Sequence, residues 1–224
     1  MDWQSIGLSL RLALATTLVL QALGMPLAWW VASSRFRWKF LVEAVVALPL
    51  VLPPTVLGFY ILIAIGPRSP VGALYARLGG GQLPFSFGGL LVASVLYSMP
   101  FTVQPMASAF SAVDRKLLEA SWCLGVSRAA TFRRVVMPLA RPGITTAAIL
   151  SFAHTVGEFG VVLMVGGNIA GVTRTVSISI YDQTQSLDYA GAWRTSLLLV
   201  GFSFAVLAAT YSWHRRASLL WPPR

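Results

Sequence analysis

AVDRKLLEASWCLGVSRAATFRRVVMPLAR, residues 112–141, is a basic and amphipathic segment set between two long apolar runs. Asp114 can accept a hydrogen bond from a free backbone N–H, so it is the expected N-cap of a helix over RKLLEASWCL. Gly125 is the expected stop of that helix, and Ser127 the cap of a second one. Pro138 and Pro142 then mark a turn into the next apolar run. The segment therefore reads as a helix–turn–helix laid against one face of the molecule. A solvated basic loop has similar composition, but the stripe Leu117, Leu118, Ser121, Trp122 and Leu124 favours a docking surface.

Working outward, the rest of the chain is far more apolar. Of 224 residues 56% are hydrophobic and 11% charged, against roughly 25% charged in an ordinary soluble domain. A disordered chain needs the opposite balance. A soluble domain of this size could not hide so much apolar surface. The net charge of +10 comes from cations spaced between apolar runs, not from basic runs in a polar chain, which excludes nucleic-acid binding. The single cysteine, Cys123, rules out an internal disulfide and multi-cysteine zinc sites. The N-terminus places its basic cluster, Arg35, Arg37 and Lys39, after its apolar run, so it reads as a retained helix and not as a leader.

A membrane-crossing helix needs about 20 apolar residues. Five runs qualify, at about 6–33, 41–66, 88–111, 142–166 and 193–213. The N-terminal part of the first could lie at the interface. The expectation is an all-α, multi-pass membrane protein of one domain, with 67–87 and 167–192 as outer loops. Twelve basic residues fall in segment 34–40, segment 112–141 and the tail, which carries Arg215, Arg216 and Arg224. Only Arg68, Arg77 and Arg174 fall in the opposite loops. The positive-inside rule puts the N-terminus outside and the C-terminus in the cytoplasm. Trp29, Trp30, Trp193 and Trp213 sit at run ends, as interfacial aromatics do.

The spacing within 112–141 resembles the EAA motif of ABC importer permeases. Glu119-Ala120-Ser121 is followed after three residues by Gly125, and after nine more by Val135-Val136-Met137-Pro138. Ser121, Val135 and Met137 depart from the pattern by small or volume-conserving changes. LPLVLPPTVLG at 48–58 looks like the second-helix signature of molybdate permeases. Gly157-Glu158-Phe159-Gly160, Asn168-Ile169 and Gly171–Thr175 look like their fourth helix and outer loop. The resemblance spans roughly 8–213. Sulfate and tungstate permeases are close relatives of that family.

The resemblance implies a type I ABC permease fold, with 112–141 as the coupling segment seated in a separate ATPase. Glu119 would pair with a basic residue of that ATPase, and Gly125 would allow a sharp turn or close approach. Partners so implied are a second copy of the chain, two ATPase copies, a periplasmic or tethered oxyanion-binding protein, and membrane lipid. The implied cargo is molybdate, carried into the cytoplasm across the inner membrane by alternating access. A P-loop needs a lysine after glycine. The only lysines, Lys39 and Lys116, do not follow one, so ATP and Mg²⁺ belong to the partner and this chain is no enzyme. A secondary carrier, a channel and a non-transporting scaffold remain alternatives from other classes.

Pro53 and Pro54 lie mid-run, with Thr55 following, and free the carbonyls of Pro49 and Leu50. That reads either as a packing kink or as a pathway wall. Pro100, Gln104 and Pro105, with Ser98 and Thr102, suggest a second broken helix. His154 and Glu158 are four apart and would share a helix face, too few ligands for a metal site. Glu158 would repel an oxyanion, so the expectation is a polar or basic partner that holds a gate, with Gly157 and Gly160 admitting a neighbouring helix beside Phe159. Arg174, with Thr173 and Thr175, is either an ordinary loop arginine or a point of substrate admission and binding-protein docking.

Overall fold

The structure, a computed structural model, describes residues 2–220, with side chains described through residue 208. The side chains of Trp213, Arg215 and Arg216, and all of Arg224, lie outside the described residues. The described residues are mostly helical, with no strand among them. The elements are α1 (Trp3–Ser33), α2 (Lys39–Val51), α3 (Pro54–Ile65), α4 (Pro70–Arg77) and α5 (Phe87–Ser111). After these come α6 (Arg115–Cys123), α7 (Arg128–Thr131), a π-helical turn (Phe132–Val136) and α8 (Met137–Gly157). The chain ends with α9 (Gly160–Gly166), α10 (Val176–Gln185) and α11 (Tyr189–Leu220).

Four helical stretches are long and apolar enough to cross a membrane: Trp3–Ser33, Phe87–Ser111, Arg128–Gly157 and Tyr189–Ala208. The run expected at 41–66 is instead α2 and α3 bent by 117°. The cause is local. A residue before proline is pushed out of the helical region, and two such residues stand in series. Leu52, before Pro53, has ψ 138°, and Pro53, before Pro54, has ψ 135°. Pro54 then opens α3 as its first residue, where a missing N–H costs nothing.

The other prolines behave differently. α5 runs unbroken through Pro100 and Pro105, so the expected second broken helix is absent. It lies at the centre, packed by α1 and α8, and neighbours satisfy what a proline frees. Nor do Pro138 and Pro142 make a turn. The π-turn closes with Met137 N–H donating to the Phe132 carbonyl, five residues back. That wider ring leads the chain into α8 past Pro138, which cannot donate. The fourth run, expected at 142–166, thus begins with α7 and stops at Gly157.

The core at this end joins Ala28, Val103, Met106, Phe110, Val136 and Ala147. Trp29 packs edge-on to Phe110 at 5.6 Å and against Phe132 at 5.0 Å. It is therefore partly buried against the core, whereas Trp30 and Trp193 are exposed. The loops expected at 67–87 and 167–192 hold α4 and α10. α10 buries Val176, Ile178 and Ser179, and Val176 N–H donates to Ser9 Oγ of α1 at 2.8 Å.

Helices α5 and α8 meet at Gly143, where a Cβ would lie 2.3 Å from the Ala109 Cβ and 3.2 Å from the Pro105 carbonyl oxygen. Backbone cannot rotate aside as a side chain can. Gly143→Leu is expected to destabilise the bundle by about 1–3 kcal/mol, read as a lower unfolding midpoint in detergent.

Candidate functional site

The helix pair α6–α7 is built as its residues dictate. Asp114 accepts from Lys116 N–H at 2.9 Å, and Ser127 accepts from Ala130 N–H at 3.3 Å. Gly125 has φ +77°, a conformation costly for residues with a Cβ. Its N–H donates to the Trp122 carbonyl at 2.9 Å, and Val126 N–H to the Ser121 carbonyl at 3.2 Å. Together these bonds close a Schellman motif. A Cβ on Gly125 would meet nothing within 4 Å, so within this chain the glycine serves the turn and not a close approach.

The apolar stripe divides. Leu118 packs into the core beside Phe110 and Val136, and Ser121 Oγ lies 2.9 Å from Thr131 Oγ1. Leu117, Trp122 and Leu124 stay exposed, Leu124 at 82%, as does Ala120. Glu119 faces outward, held by Arg115 at 3.2 Å on the same helix. Such an exposed pair contributes little to stability and leaves the carboxylate free to exchange partners. Pro138 lies farther along, exposed near the start of α8.

A second feature forms where two breaks meet. α8 ends at Gly157, and Glu158 is extended, with φ −66° and ψ 135°. His154 and Glu158 therefore do not share a helix face, contrary to the spacing argument, because the helix stops between them. Both still line one cavity of about 560 Å³, with Pro54, Thr55, Tyr97 and Phe159 among its other walls. The break in α2–α3 abuts this one. A Cβ on Gly160 would lie 2.7 Å from Pro54 Cβ, and one on Gly58 would lie 2.7 Å from Met164 Cβ. Gly160 thus does admit a neighbour, while Gly157 has nothing within 4 Å of its Cβ position.

Among the described residues, no basic side chain pairs with Glu158. Glu158 is 4% exposed, and neither carboxyl oxygen has a hydrogen-bond partner of good geometry. The Ser94 hydroxyl, also buried and unpartnered, lies beside it. Ser98 and Thr102 are not wall residues either. Ser98 Oγ lies 2.9 Å from His154 Nδ1 and 3.1 Å from Thr155 Oγ1, and Thr102 pairs with Ser151. These bonds tie α5 to α8, as polar side chains do between membrane helices. Gln104 is exposed on α5, outside the cavity lining, and Pro53 is outside the lining too.

The third group sits at residues 166–182. Thr173 is buried and donates to the Gly166 carbonyl at 2.7 Å while accepting from Ile169 N–H at 3.2 Å. Thr175 is buried as well. Arg174 Nε donates to Asn168 Oδ1 at 2.5 Å, and Arg174 also lies 3.8 Å from the Asp182 carboxylate. Asn168 Nδ2 donates to Asp182 at 3.1 Å. The two threonines therefore shape the loop from inside, and Arg174 is the member that reaches the surface. The Ser98–His154 contact, the nearness of Ser94 to Glu158 and the role of Asp182 were not legible beforehand. Each joins residues far apart in sequence, and only the polar character of the residues hinted at them.

Membrane-length helices, a cavity where two broken helices meet and an exposed amphipathic helix pair describe a multi-pass membrane protein. The family model described as binding-protein-dependent transport system inner membrane component matches residues 24–218, and the chain belongs to that family. It is 55% identical over 214 residues to the molybdenum transport system permease protein ModB of Azotobacter vinelandii, covering 96% of this chain and 95% of that one. With the protein of the same name from Escherichia coli K12 it shares 33% over 219 residues, 97% of this chain and 95% of that one. A probable sulfate transport system permease protein of Prototheca wickerhamii is 32% identical over 186 residues, 83% of this chain and 72% of that one. In fold, the chain matches a bacterial ABC transporter that imports alginate, with a TM-score of 0.76 at 16% identity, covering 95% of this chain and 78% of that one.

Proposed function

We propose that this chain is the membrane-spanning subunit of an ATP-driven importer of molybdate. The observation that carries the reading is the 55% identity to the Azotobacter relative across nearly the whole of both chains. Sulfate is the second reading, favoured by the 32% identity to the sulfate permease relative. The cavity at the two breaks supports a pathway through the bundle. α6–α7 supports a docking surface for a separate ATPase, which would hold ATP and Mg²⁺. The charge distribution supports an outside N-terminus and a cytoplasmic α6–α7. A homodimer is the arrangement the family resemblance implies; the exposed apolar stripe of α11, Trp193, Leu197, Val200, Phe204 and Leu207, suits lipid and a second copy alike. The surface around Arg174 would receive the binding protein. Transport would proceed by rocking between two conformations, with no covalent step.

The test is ATP hydrolysis by the purified assembly of chain, ATPase and binding protein. Stimulation by molybdate is expected. Stimulation by sulfate and not by molybdate would favour the second reading. Glu119→Lys is expected to lower the stimulated rate at least about tenfold, because a like charge would face the basic partner of Glu119. An unchanged rate would remove Glu119 from the coupling surface.

A further inference from the structure

One arrangement of protons makes all three hydrogen bonds around His154 at once. Thr155 Oγ1 donates to the Ser151 carbonyl at 2.9 Å, which uses its only proton. In the Ser98–Thr155 pair Ser98 must then be the donor. With its own proton engaged, Ser98 can only accept from His154, so Nδ1 of the imidazole carries hydrogen across the 2.9 Å contact. Nε2 is left without a partner in the chain. The ring is clamped by Phe101, stacked at 4.0 Å, and by Tyr97 at 4.9 Å. His154 lines the cavity, and among the described residues it is the one basic side chain that does. From α3 the cavity receives uncharged Pro54 and Thr55. Of the titratable groups facing the ring, α5 supplies Tyr97 and the α8–α9 break supplies Glu158, whose oxygens are buried beneath the lining.

We propose that His154 contacts the oxyanion in the pathway: with a tetrahedral dianion in the cavity it takes a proton at Nε2 and presents that N–H to the anion. The inference rests on the importer reading above. The proton is taken from hydronium in the solvated cavity, leaving water, and returns to water when the anion departs. Because Ser98 accepts from Nδ1 in both states, the ring need not turn over or break the relay. A fixed cation would hold the dianion too firmly for release, whereas a ring that charges only in its presence holds it briefly.

The experiment uses proteoliposomes containing the whole assembly, with molybdate uptake followed at several pH values. ATP-dependent uptake by the wild type tests the importer reading by itself. Granted that uptake, His154→Asn keeps a donor toward Ser98 but removes the distal nitrogen. It is expected to lower uptake between about tenfold and a hundredfold, the range for a hydrogen bond to a charged group. His154→Gln supplies an uncharged distal donor and is expected to recover part of the rate. Wild-type uptake is expected to fall as pH rises and the imidazole loses its charge, and the Gln variant to lose that dependence. Co-purification with the ATPase confirms that each variant is folded. Wild-type rate and pH profile in both folded variants would overturn the proposal.

Discussion

Leu124→Asp is expected to weaken binding of the chain to its ATPase about a hundredfold or more, the scale of a carboxylate buried without a partner. Leu124 is 82% exposed and forms the C-cap of α6, where its N–H donates to the Ala120 carbonyl at 3.2 Å. That bond belongs to the backbone and survives the substitution, so α6 should form as before. Exposed beside Leu124 are Leu117 and Trp122, and Glu119 projects from the same helix. An aromatic anchor ringed by smaller apolar contacts is how tight interfaces concentrate their energy. A titrated pull-down of the ATPase reads the effect. Equal affinity in a correctly folded variant would move the docking surface elsewhere on the molecule.

Gly160→Val is expected to lower uptake about tenfold or more while the assembly still forms. Its Cβ would fall 2.7 Å from Pro54 Cβ, and a proline ring has no rotamer by which to withdraw. Overpacking of this kind costs about 1–3 kcal/mol, and each 1.4 kcal/mol on a barrier is about a factor of ten. The strain falls where α3 and α9 meet, at the two breaks that frame the cavity, and not on the α6–α7 surface. Loss of uptake with intact ATPase binding is therefore the expected pattern. Loss of both together would mean that the contact serves folding and not passage.

Much of the molecule was legible in local chemistry. Asp114, Gly125 and Ser127 act within four residues of themselves, and each does what its side chain or its lack of one predicts. Pro53-Pro54 announced a break for the same reason, since two successive prolines force two successive extended residues. What a proline does alone depends on neighbours, so Pro100, Pro105, Pro138 and Pro142 misled: α5 is supported by α1 and α8, and a π-turn carries the chain past Pro138. The break at Glu158 was hidden because its spacing from His154 fits a helix that in fact ends between them. The candidate pathway was half visible. Pro54, Thr55, Glu158 and Phe159 were named from sequence and do share a cavity, but Ser98 and Thr102 proved to be contacts between helices, and Gln104 lies elsewhere. The basic excess suggests anionic partners by its size, but its spacing along the chain is what the proposed sidedness rests on.

As proposed above, this chain forms a path for an oxyanion that opens only when a separate ATPase drives it. Uptake of isotopically labelled molybdate into proteoliposomes tests it directly, with the chain reconstituted alone, with the ATPase, and with the ATPase and binding protein together. Accumulation is expected only in the complete assembly with ATP inside reach of the ATPase, and none from the chain alone. Equal uptake by the chain alone, without ATP, would contradict the account and identify a carrier or channel.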